Sequence, residues 1–390
     1  MTIVFTGSGT GGHFYPNIAI AEAIREIAAA RQLLSPRLFY IAPMPFDEQA
    51  LLANGIVFVR NPAGKVRRYM SARNMLDIFV TIAGYFWSLV TLFRIYPDVV
   101  VSKGGYASVP PVLAARTLGI PVIIHESDAR PGRANLLASH FAARIAVSFD
   151  DTAQYFPPKV RSRIARTGIP LRREISKLIP DTARAYLGLD ASVPTIFILG
   201  GSSGSQRINE TVISSLSDLI SFANVIHQTG KANIEGVERT ARAVLDKNPH
   251  AARYHPVAYL SAEAMREAAA AADIIVSRAG ATAIAEISLW KKPSILIPIP
   301  EDVSHDQRTN AYAYAKTGAA IVLEEANMTP HLLTSELRRI LSDPALAKSM
   351  GEKGASFSPQ DASTLIAEEV LRIALSHEEP EEQPAPEPTV

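Results

Sequence analysis

His13 stands directly behind a run of glycines, Gly7-Ser8-Gly9-Thr10-Gly11-Gly12, that follows the apolar stretch Thr2-Ile3-Val4-Phe5-Thr6. Glycines at such a turn let the backbone approach a ligand closely. The N-terminus of a following helix offers unpaired N–H groups to an anion. An imidazole placed there is a candidate general base, because its ordinary pKa lies near working pH; a capping or packing role is the plainer alternative. The spacing Gly7-x-Gly9-x-x-Gly12 also matches the dinucleotide fingerprint. However, the next strand-like run, Leu38-Phe39-Tyr40-Ile41, leads into Ala42-Pro43-Met44 and not into the acidic residue that would hold ribose hydroxyls, which counts against a nicotinamide enzyme.

Four further polar clusters fall behind short β-branched runs. They are Ser102-Lys103-Gly104-Gly105-Tyr106, His125-Glu126-Ser127-Asp128, Ser277-Arg278-Ala279-Gly280-Ala281-Thr282 with Glu286 beyond it, and His305-Asp306-Gln307-Arg308-Thr309-Asn310. Each alone reads as turn chemistry. Together, at the carboxyl ends of strands in an open parallel sheet, they predict a ligand site. The chain has no G-x-x-x-x-G-K-[ST], no H-E-x-x-H and no Asp-x-Asp pair, so a P-loop NTPase and a metal-held diphosphate are disfavoured. A diphosphate would then be met by backbone N–H groups, helix dipoles and an arginine such as Arg172.

The elements that must position these residues repeat. Thr195-Ile196-Phe197-Ile198-Leu199 runs into Gly200-Gly201-Ser202-Ser203-Gly204-Ser205 and then into a helical pattern, as the first segment does. Alternation of such strands with helical stretches predicts an α/β fold of two doubly wound, Rossmann-like parallel-sheet domains. The expected division is residues 1–166 and residues 167–358, with a final amphipathic helix at about 360–376 that must pack somewhere; the proline- and glutamate-rich 377–390 is expected to be a disordered acidic tail. The 390 residues, 47% hydrophobic and 20% charged, supply a core for each. Absence of cysteine excludes disulfides, thiolate nucleophiles and iron–sulfur clusters, and fits a reducing compartment. The opening Met1-Thr2-Ile3-Val4-Phe5 lacks the marks of a secretory signal.

The net charge of +1 hides an uneven spread. Through residue 165 there are 17 Lys+Arg against 10 Asp+Glu, whereas 377–390 carries five glutamates. A basic first half suits an anionic surface. Ile78 to Phe93 runs without a charge and holds Phe79, Ile82, Tyr85, Phe86 and Trp87, with Lys65, Arg67, Arg68 and Arg73 just upstream. A buried core helix is the ordinary reading, and a span needs about 20 residues. The basic–aromatic pairing instead fits an element lying in the lipid interface. Lys65, Arg67, Arg68, Phe79, Ile82 and Phe86 are the candidate membrane-facing residues.

Taken jointly, these motifs resemble the MurG family of glycosyltransferases (family 28). The resemblance rests on Gly9-Thr10-Gly11-Gly12-His13-Phe14-Tyr15-Pro16, Ser102-Lys103-Gly104-Gly105-Tyr106, and His125-Glu126-Ser127-Asp128 with Pro131-Gly132. It continues through Gly200 to Ser205, His227-Gln228-Thr229-Gly230-Lys231, Ser277-Arg278-Ala279-Gly280 with Glu286, and Gln307-x-x-Asn310-Ala311. It covers Gly7 to about Leu375. It implies a GT-B architecture, two Rossmann-like domains facing a cleft with the last helix crossing back to the first, and transfer of GlcNAc from UDP-GlcNAc to the MurNAc C4 hydroxyl of undecaprenyl-pyrophosphoryl-MurNAc-pentapeptide (lipid I), with inversion, giving lipid II for peptidoglycan. By that resemblance the second domain holds UDP-GlcNAc, with Ser202 at the diphosphate and Arg172 near the donor phosphates. Ala281 and Thr282 meet the nucleotide, Glu286 the ribose hydroxyls, Gln307 and Asn310 the GlcNAc hydroxyls, and Leu260 the uracil. Thr10, Gly11 and Gly12 approach the donor sugar and the acceptor pyrophosphate, and His13 is the base.

Three residues depart from the family pattern: Ser127-Asp128 stand where some members have Gln-Asn, and Asp306 where the family often has His. Asp128 is expected to contact the sugar as an acceptor only; it would sit against phosphate only if paired with a neighbour such as Arg130 or Arg133. UDP-GlcNAc enters as a co-substrate, with no obligate cofactor or metal implied. The partners implied are lipid I and the anionic cytoplasmic face of the plasma membrane, to which the protein is held peripherally; nucleic acid is not among them. Another GT-B sugar-nucleotide enzyme (a UDP-GlcNAc 2-epimerase or a transferase with a soluble acceptor), an NAD-dependent dehydrogenase and a silent binding module stay open as alternatives.

Overall fold

The computed structural model describes residues 1–7, 11–65, 72–176, 178, 180–201, 204–301, 305–357, 359 and 361–376, with backbone alone at 72–74, 180, 181 and 305. The predicted roles of Thr10, Arg67, Arg68 and Ser202, the side chain of Arg73, and the acidic tail lie outside the described residues. The chain divides into two compact units. The first comprises residues 1–125, 133–146 and the segment from Ser363 onward; the second comprises 126–132 and 147–362.

The first half alternates β1 (Thr2–Thr6), α1 (Gly11–Ala30), β2 (Arg37–Ala42), α2 (Glu48–Ala53), β3 (Ile56–Arg60), α3 (Ala72–Ile95), β4 (Val99–Ser102), α4 (Val109–Thr117), β5 (Val122–Glu126), α5 (Arg133–Ser139), β6 (Arg144–Val147) and β7 (Ile164–Arg166). The sheet order is β3-β2-β1-β4-β5-β6-β7, and the pairs β1–β2, β1–β4, β2–β3 and β4–β5 are parallel. The rest adds α6 (Pro180–Tyr186), β8 (Thr195–Leu199), α7 (Gln206–Ser214), α8 (Leu216–Phe222), β9 (Asn224–Gln228), α9 (Ile234–Val244), β10 (Tyr254–Val257), α10 (Ala262–Ala271), β11 (Ile274–Ser277), α11 (Ala281–Trp290), β12 (Ser294–Leu296), α12 (His305–Ala315), β13 (Ala320–Val322), α13 (Pro330–Leu341), α14 (Pro344–Ala355) and α15 (Ala362–Leu375). Its sheet, β10-β9-β8-β11-β12-β13, is parallel throughout.

The strands are unbroken apolar runs because both sheet faces are covered. Successive side chains on β8 and β11 go to opposite cores: Phe197, Leu199 and Ile275 to one, Ile196, Ile198, Ile274 and Val276 to the other. In the first unit, α15 supplies Ile366, Ala367, Val370 and Leu371 to a core shared with Ile3, Phe5, Ile18, Ile24 and Leu38. Surface ion pairs Arg31–Glu368 (2.5 Å) and Arg144–Glu369 (2.6 Å) fasten the outer side of that helix. Being half-exposed, they add little to its hydrophobic docking.

The charge-free stretch forms most of α3, and it is not a buried core helix. Phe79 is 67% exposed, Phe86 60%, Trp87 59% and Phe93 70%. What faces residues 61–64 is small or polar. Gly64 N–H donates to Thr81 Oγ1 (3.1 Å) and Ser88 Oγ donates to Asn61 Oδ1 (2.9 Å). A Cβ on Gly84 would sit 1.9 Å from Pro62 O. The helix is thus pinned to residues 61–64 through its short side chains; Leu92, near its end, is buried, while its aromatic residues Phe79, Phe86, Trp87 and Phe93 stay outside. Among the described residues, Met75–Ile95 is the one helix long and apolar enough to cross a membrane.

Because Pro62 O occupies the space beside Gly84, Gly84→Ala is expected to push residues 61–64 off α3. The cost should be about 1–3 kcal/mol, the usual range for overpacking. A urea unfolding midpoint equal to that of the wild type would show that this contact does not hold the helix.

Candidate active site

In the first unit the polar residues gather at the ends of β1, β4 and β5. Gly7 follows β1; a Cβ there would lie 3.2 Å from His13 O, 3.3 Å from Lys103 Cβ and 3.4 Å from Tyr40 Oη. Asn17 Nδ2 donates to Thr6 O (3.4 Å) and His13 O (3.3 Å), tying the first turns of α1 to β1. Pro16 lies inside α1, and its missing N–H removes the helical bond that Gly12 C=O would accept. Gly11 and Gly12 therefore open the helix with little side-chain bulk around His13. The His13 imidazole is driven down to about 4, first by burial and then by the Lys103 ammonium. It is neutral at pH 7, as a proton acceptor must be.

Lys103 lies just past β4, its N–H donating to Thr6 O (2.9 Å), and its Nζ is hydrogen-bonded to His125 Nδ1. Gly104, at φ +76°, has the Asn135 amide 2.8 Å from its Cβ position, and Asn135 Nδ2 donates to His125 O (3.2 Å).

In the second unit, Glu126 closes the loop that follows β5. Its two carboxylate oxygens accept from Asp128 N–H (3.0 Å) and Gly132 N–H (2.9 Å). Asn310 is fully buried on α12. Its Nδ2 donates to Asp128 Oδ1 (2.8 Å) and Ala279 O (3.4 Å), and its Oδ1 accepts from Ala129 N–H (2.7 Å). Asn310 therefore spends its amide within the chain. Asp128 thus meets this amide, and Arg130 lies over the Tyr155 ring.

The glycine turn behind β8 is packed tightly. Gly204, at φ +76°, would put a Cβ 2.0 Å from Thr229 O, so no other residue fits without moving that strand end. Ser205 caps α7 by accepting from Ile208 N–H (3.4 Å), and Arg278 donates to the same hydroxyl (2.6 Å) while pairing with Glu325 (2.5 Å). Behind the turn, Asn209 Nδ2 donates to Thr229 O (3.0 Å), which leaves its Oδ1 facing His227 Nε2 (3.0 Å). His227 must then carry its proton on Nε2 and accept from Tyr254 O–H at Nδ1 (2.9 Å). Total burial pushes this imidazole down to about 3.

α11 opens after Gly280 with no side-chain cap, leaving its first N–H groups to a ligand or solvent. Ala281 is buried, Thr282 half-buried, and Glu286 lies on the second turn. Burial raises the Glu286 carboxyl to about 7 against the pull of Arg172, although part of the residue's surface stays open. Arg172 caps a short 3-10 turn and lies 3.9 Å from Glu174. Gln307 Oε1 accepts from Ile299 N–H (3.2 Å), and its NH2 has no partner among the described residues. Leu260 is packed in the core beside α10, whereas the adjacent Tyr259 is exposed with Lys231 Nζ 5.2 Å above its ring. Lys65, Phe79, Ile82 and Phe86 are all exposed.

Sequence reasoning did not single out Asn209, Glu325, Tyr259 or the Lys103–His125 contact. Each depends on partners distant in sequence within its own unit, which no spacing reveals. Tyr259 had one signal, an aromatic next to the residue proposed for the base. Among the described residues, no three His, Asp or Glu side chains cluster as metal ligands.

Residues 3–147 match the glycosyltransferase family 28 N-terminal domain and residues 195–366 the family 28 C-terminal domain. Two relatives carry the name UDP-N-acetylglucosamine–N-acetylmuramyl-(pentapeptide) pyrophosphoryl-undecaprenol N-acetylglucosamine transferase. That of Treponema denticola is 34% identical over 94% of this chain and 96% of its own length; that of Clostridium kluyveri is 36% identical over 87% and 90%. Among solved structures, Acinetobacter baumannii MurG superposes with a TM-score of 0.74 at 25% identity, covering 95% of this chain and 99% of its own. A UDP-GlcNAc 2-epimerase from Neisseria meningitidis gives 0.68 at 15% identity over 95% and 100%, a likeness of fold alone. The fold class is GT-B, and the protein is a glycosyltransferase. The chain belongs to glycosyltransferase family 28.

Neutral burial of His227 makes stability pH-dependent. Its ordinary pKa of 6.5 falls to about 3 on folding, so the unfolded chain binds the extra proton between these values. The contribution is whole above pH 6.5 and lost as pH falls, by up to about 1.4 kcal/mol per unit. His227→Gln, which keeps a donor for Asn209, is expected to flatten urea-measured stability between pH 6.5 and 4.5. A variant with the wild-type slope would refute the assignment.

Proposed function

We propose that this enzyme transfers GlcNAc from UDP-GlcNAc to the MurNAc C4 hydroxyl of undecaprenyl-pyrophosphoryl-MurNAc-pentapeptide, forming lipid II at the cytoplasmic face of the membrane. The observation that carries the reading is end-to-end similarity: 34% identity across 94% of this chain to a relative bearing that transferase name. The reading assigns the acceptor and the base to the first unit and the nucleotide sugar to the second.

The chemistry follows from the groups each unit offers. The acceptor oxygen forms a bond to the anomeric carbon as the bond from that carbon to the diphosphate breaks, and UDP leaves with the electron pair. His13, uncharged beforehand, takes the hydroxyl proton. A base held near 4 is weak by itself. The negative charges of a bound pyrophosphate oppose both burial and Lys103, and so strengthen the base when the acceptor is present. On the donor side, the glycine turn before α7, the uncapped start of α11 and Arg172 meet the developing diphosphate charge. The Glu286 carboxyl, near neutrality, is suited to ribose hydroxyls, and the NH2 of Gln307 to a sugar hydroxyl. Asp128 can serve the sugar only as an acceptor.

The exposed aromatic side of α3, with Lys65 at the segment leading to it, supports docking on an anionic leaflet. A UDP-GlcNAc 2-epimerase acts on a soluble substrate and has no use for such a surface.

Incubation with UDP-[14C]GlcNAc and lipid I should move label into the butanol phase; label that stays in water overturns the reading. His13→Ala is expected to cut this turnover by about 10²–10⁴-fold with UDP-GlcNAc affinity unchanged, and equal turnover removes His13 from the mechanism. Phe79→Glu with Phe86→Glu should abolish flotation with phosphatidylglycerol vesicles while leaving UDP-GlcNAc binding intact. Undiminished flotation would take α3 out of membrane docking.

A further inference from the structure

The ends of β4 and β5 place a lysine and a histidine in direct contact inside the first unit. Lys103 is 2% exposed and His125 fully buried, with Nζ of one hydrogen-bonded to Nδ1 of the other. Both are held by their backbones as well. Lys103 N–H donates to Thr6 O (2.9 Å), Gly104 N–H donates to Ser102 Oγ (3.1 Å), and Asn135 Nδ2 donates to His125 O (3.2 Å). An ammonium has three hydrogens and no lone pair, so the imidazole nitrogen that meets it must be the acceptor. The proton of His125 is therefore on Nε2. Lys103 also borders Gly7, at 3.3 Å from its Cβ position, on the turn that leads to His13.

We propose that Lys103 is a positioning residue for the transfer step: it holds His125 in the Nε2–H tautomer and sets a buried positive charge beside His13. The role in transfer rests on the reading of the function given above; the tautomer rests on this contact with Lys103 as the ammonium, whether or not the protein transfers sugar. A lysine that only filled space would impose no tautomer and would couple to neither histidine. The same charge is the second cause, after burial, that keeps the His13 imidazole low.

Nitrogen-15 spectra of histidine-labelled, full-length wild-type protein read the tautomer directly. A protonated Nε2 and a bare Nδ1 on His125 are expected, and the opposite assignment overturns the proposal whether or not the protein transfers sugar. In the GlcNAc-transfer assay, Lys103→Met should lower kcat at least about tenfold through the lost hold on His125, outweighing the gain in His13 basicity that loss of the charge alone would bring, with KM for UDP-GlcNAc changed by less than about twofold. Lys103→Met combined with His125→Gln should be no worse than the more damaging single change, since both remove one contact. Wild-type kcat in Lys103→Met, or losses that multiply in the double variant, overturn the proposal. Should the methionine variant misfold, Lys103→Ala with added ethylamine replaces it: restored turnover is expected, and a folded variant that ethylamine does not restore overturns the proposal. A wild-type protein that moves no GlcNAc overturns the functional reading, while the nitrogen shifts still decide the tautomer.

Discussion

Burial of parallel sheets on both faces is the constraint from which the rest of this protein follows. Ile196 and Ile198 enter one core and Phe197 and Leu199 the other, so no strand interior has room for a charge. Polar chemistry is confined to the carboxyl ends, where helices begin and backbones must turn within a few ångströms of one another. The turns are correspondingly tight: Gly204 faces Thr229 O, and Gly7 faces His13 O and Lys103. Side chains stranded there are half-desolvated. Burial therefore drives each toward its neutral form, His13 and His227 downward and Glu286 upward. Neutral groups of this kind suit a reaction in which charge arrives with the diphosphates.

The third helix obeys the opposite rule. A helix of a globular domain normally turns its bulky apolar side inward. Here Thr81, Gly84 and Ser88 face residues 61–64, while Phe79, Phe86 and Phe93 face out. Small inward side chains permit a close backbone approach, which anchors the helix without consuming its aromatic residues; of its large apolar side chains Leu92 is buried. The exposed aromatics then form an apolar surface of the kind that marks interaction sites.

Much of this was legible in the residues. The β-branched runs, their glycine turns and their spacing specify two parallel α/β sheets, because period and turn chemistry are local properties. His13 and the motif residues around it could be singled out for the same reason. The orientation of α3 was not legible, since a charge-free run reads alike whether its neighbours are protein or lipid. Nor was the internal use of Asn310, which the family resemblance pairs with Gln307. In the fold its amide meets Asp128 and Ala129, well over a hundred residues earlier. The Lys103–His125 contact depends on β4 and β5 lying side by side, which only the sheet order decides.

The same architecture serves epimerases at low identity, so the fold by itself cannot select a reaction. Selection has to come from what is added to strand ends and helix faces. Under the proposed function, the donor side is built from backbone: a glycine turn locked by Thr229, a serine cap held by Arg278, and the bare start of α11. On that reading such a set would serve any diphosphate, without regard to what happens next. The first unit carries the discriminating parts, a neutral His13 beside a buried ammonium and a helix with its aromatics outward. An enzyme that only rearranged a bound nucleotide sugar would need no second, apolar-facing surface. A transferase whose acceptor hydroxyl arrives on a lipid needs both, and it needs the base to stay uncharged until the acceptor's own negative charge is in place.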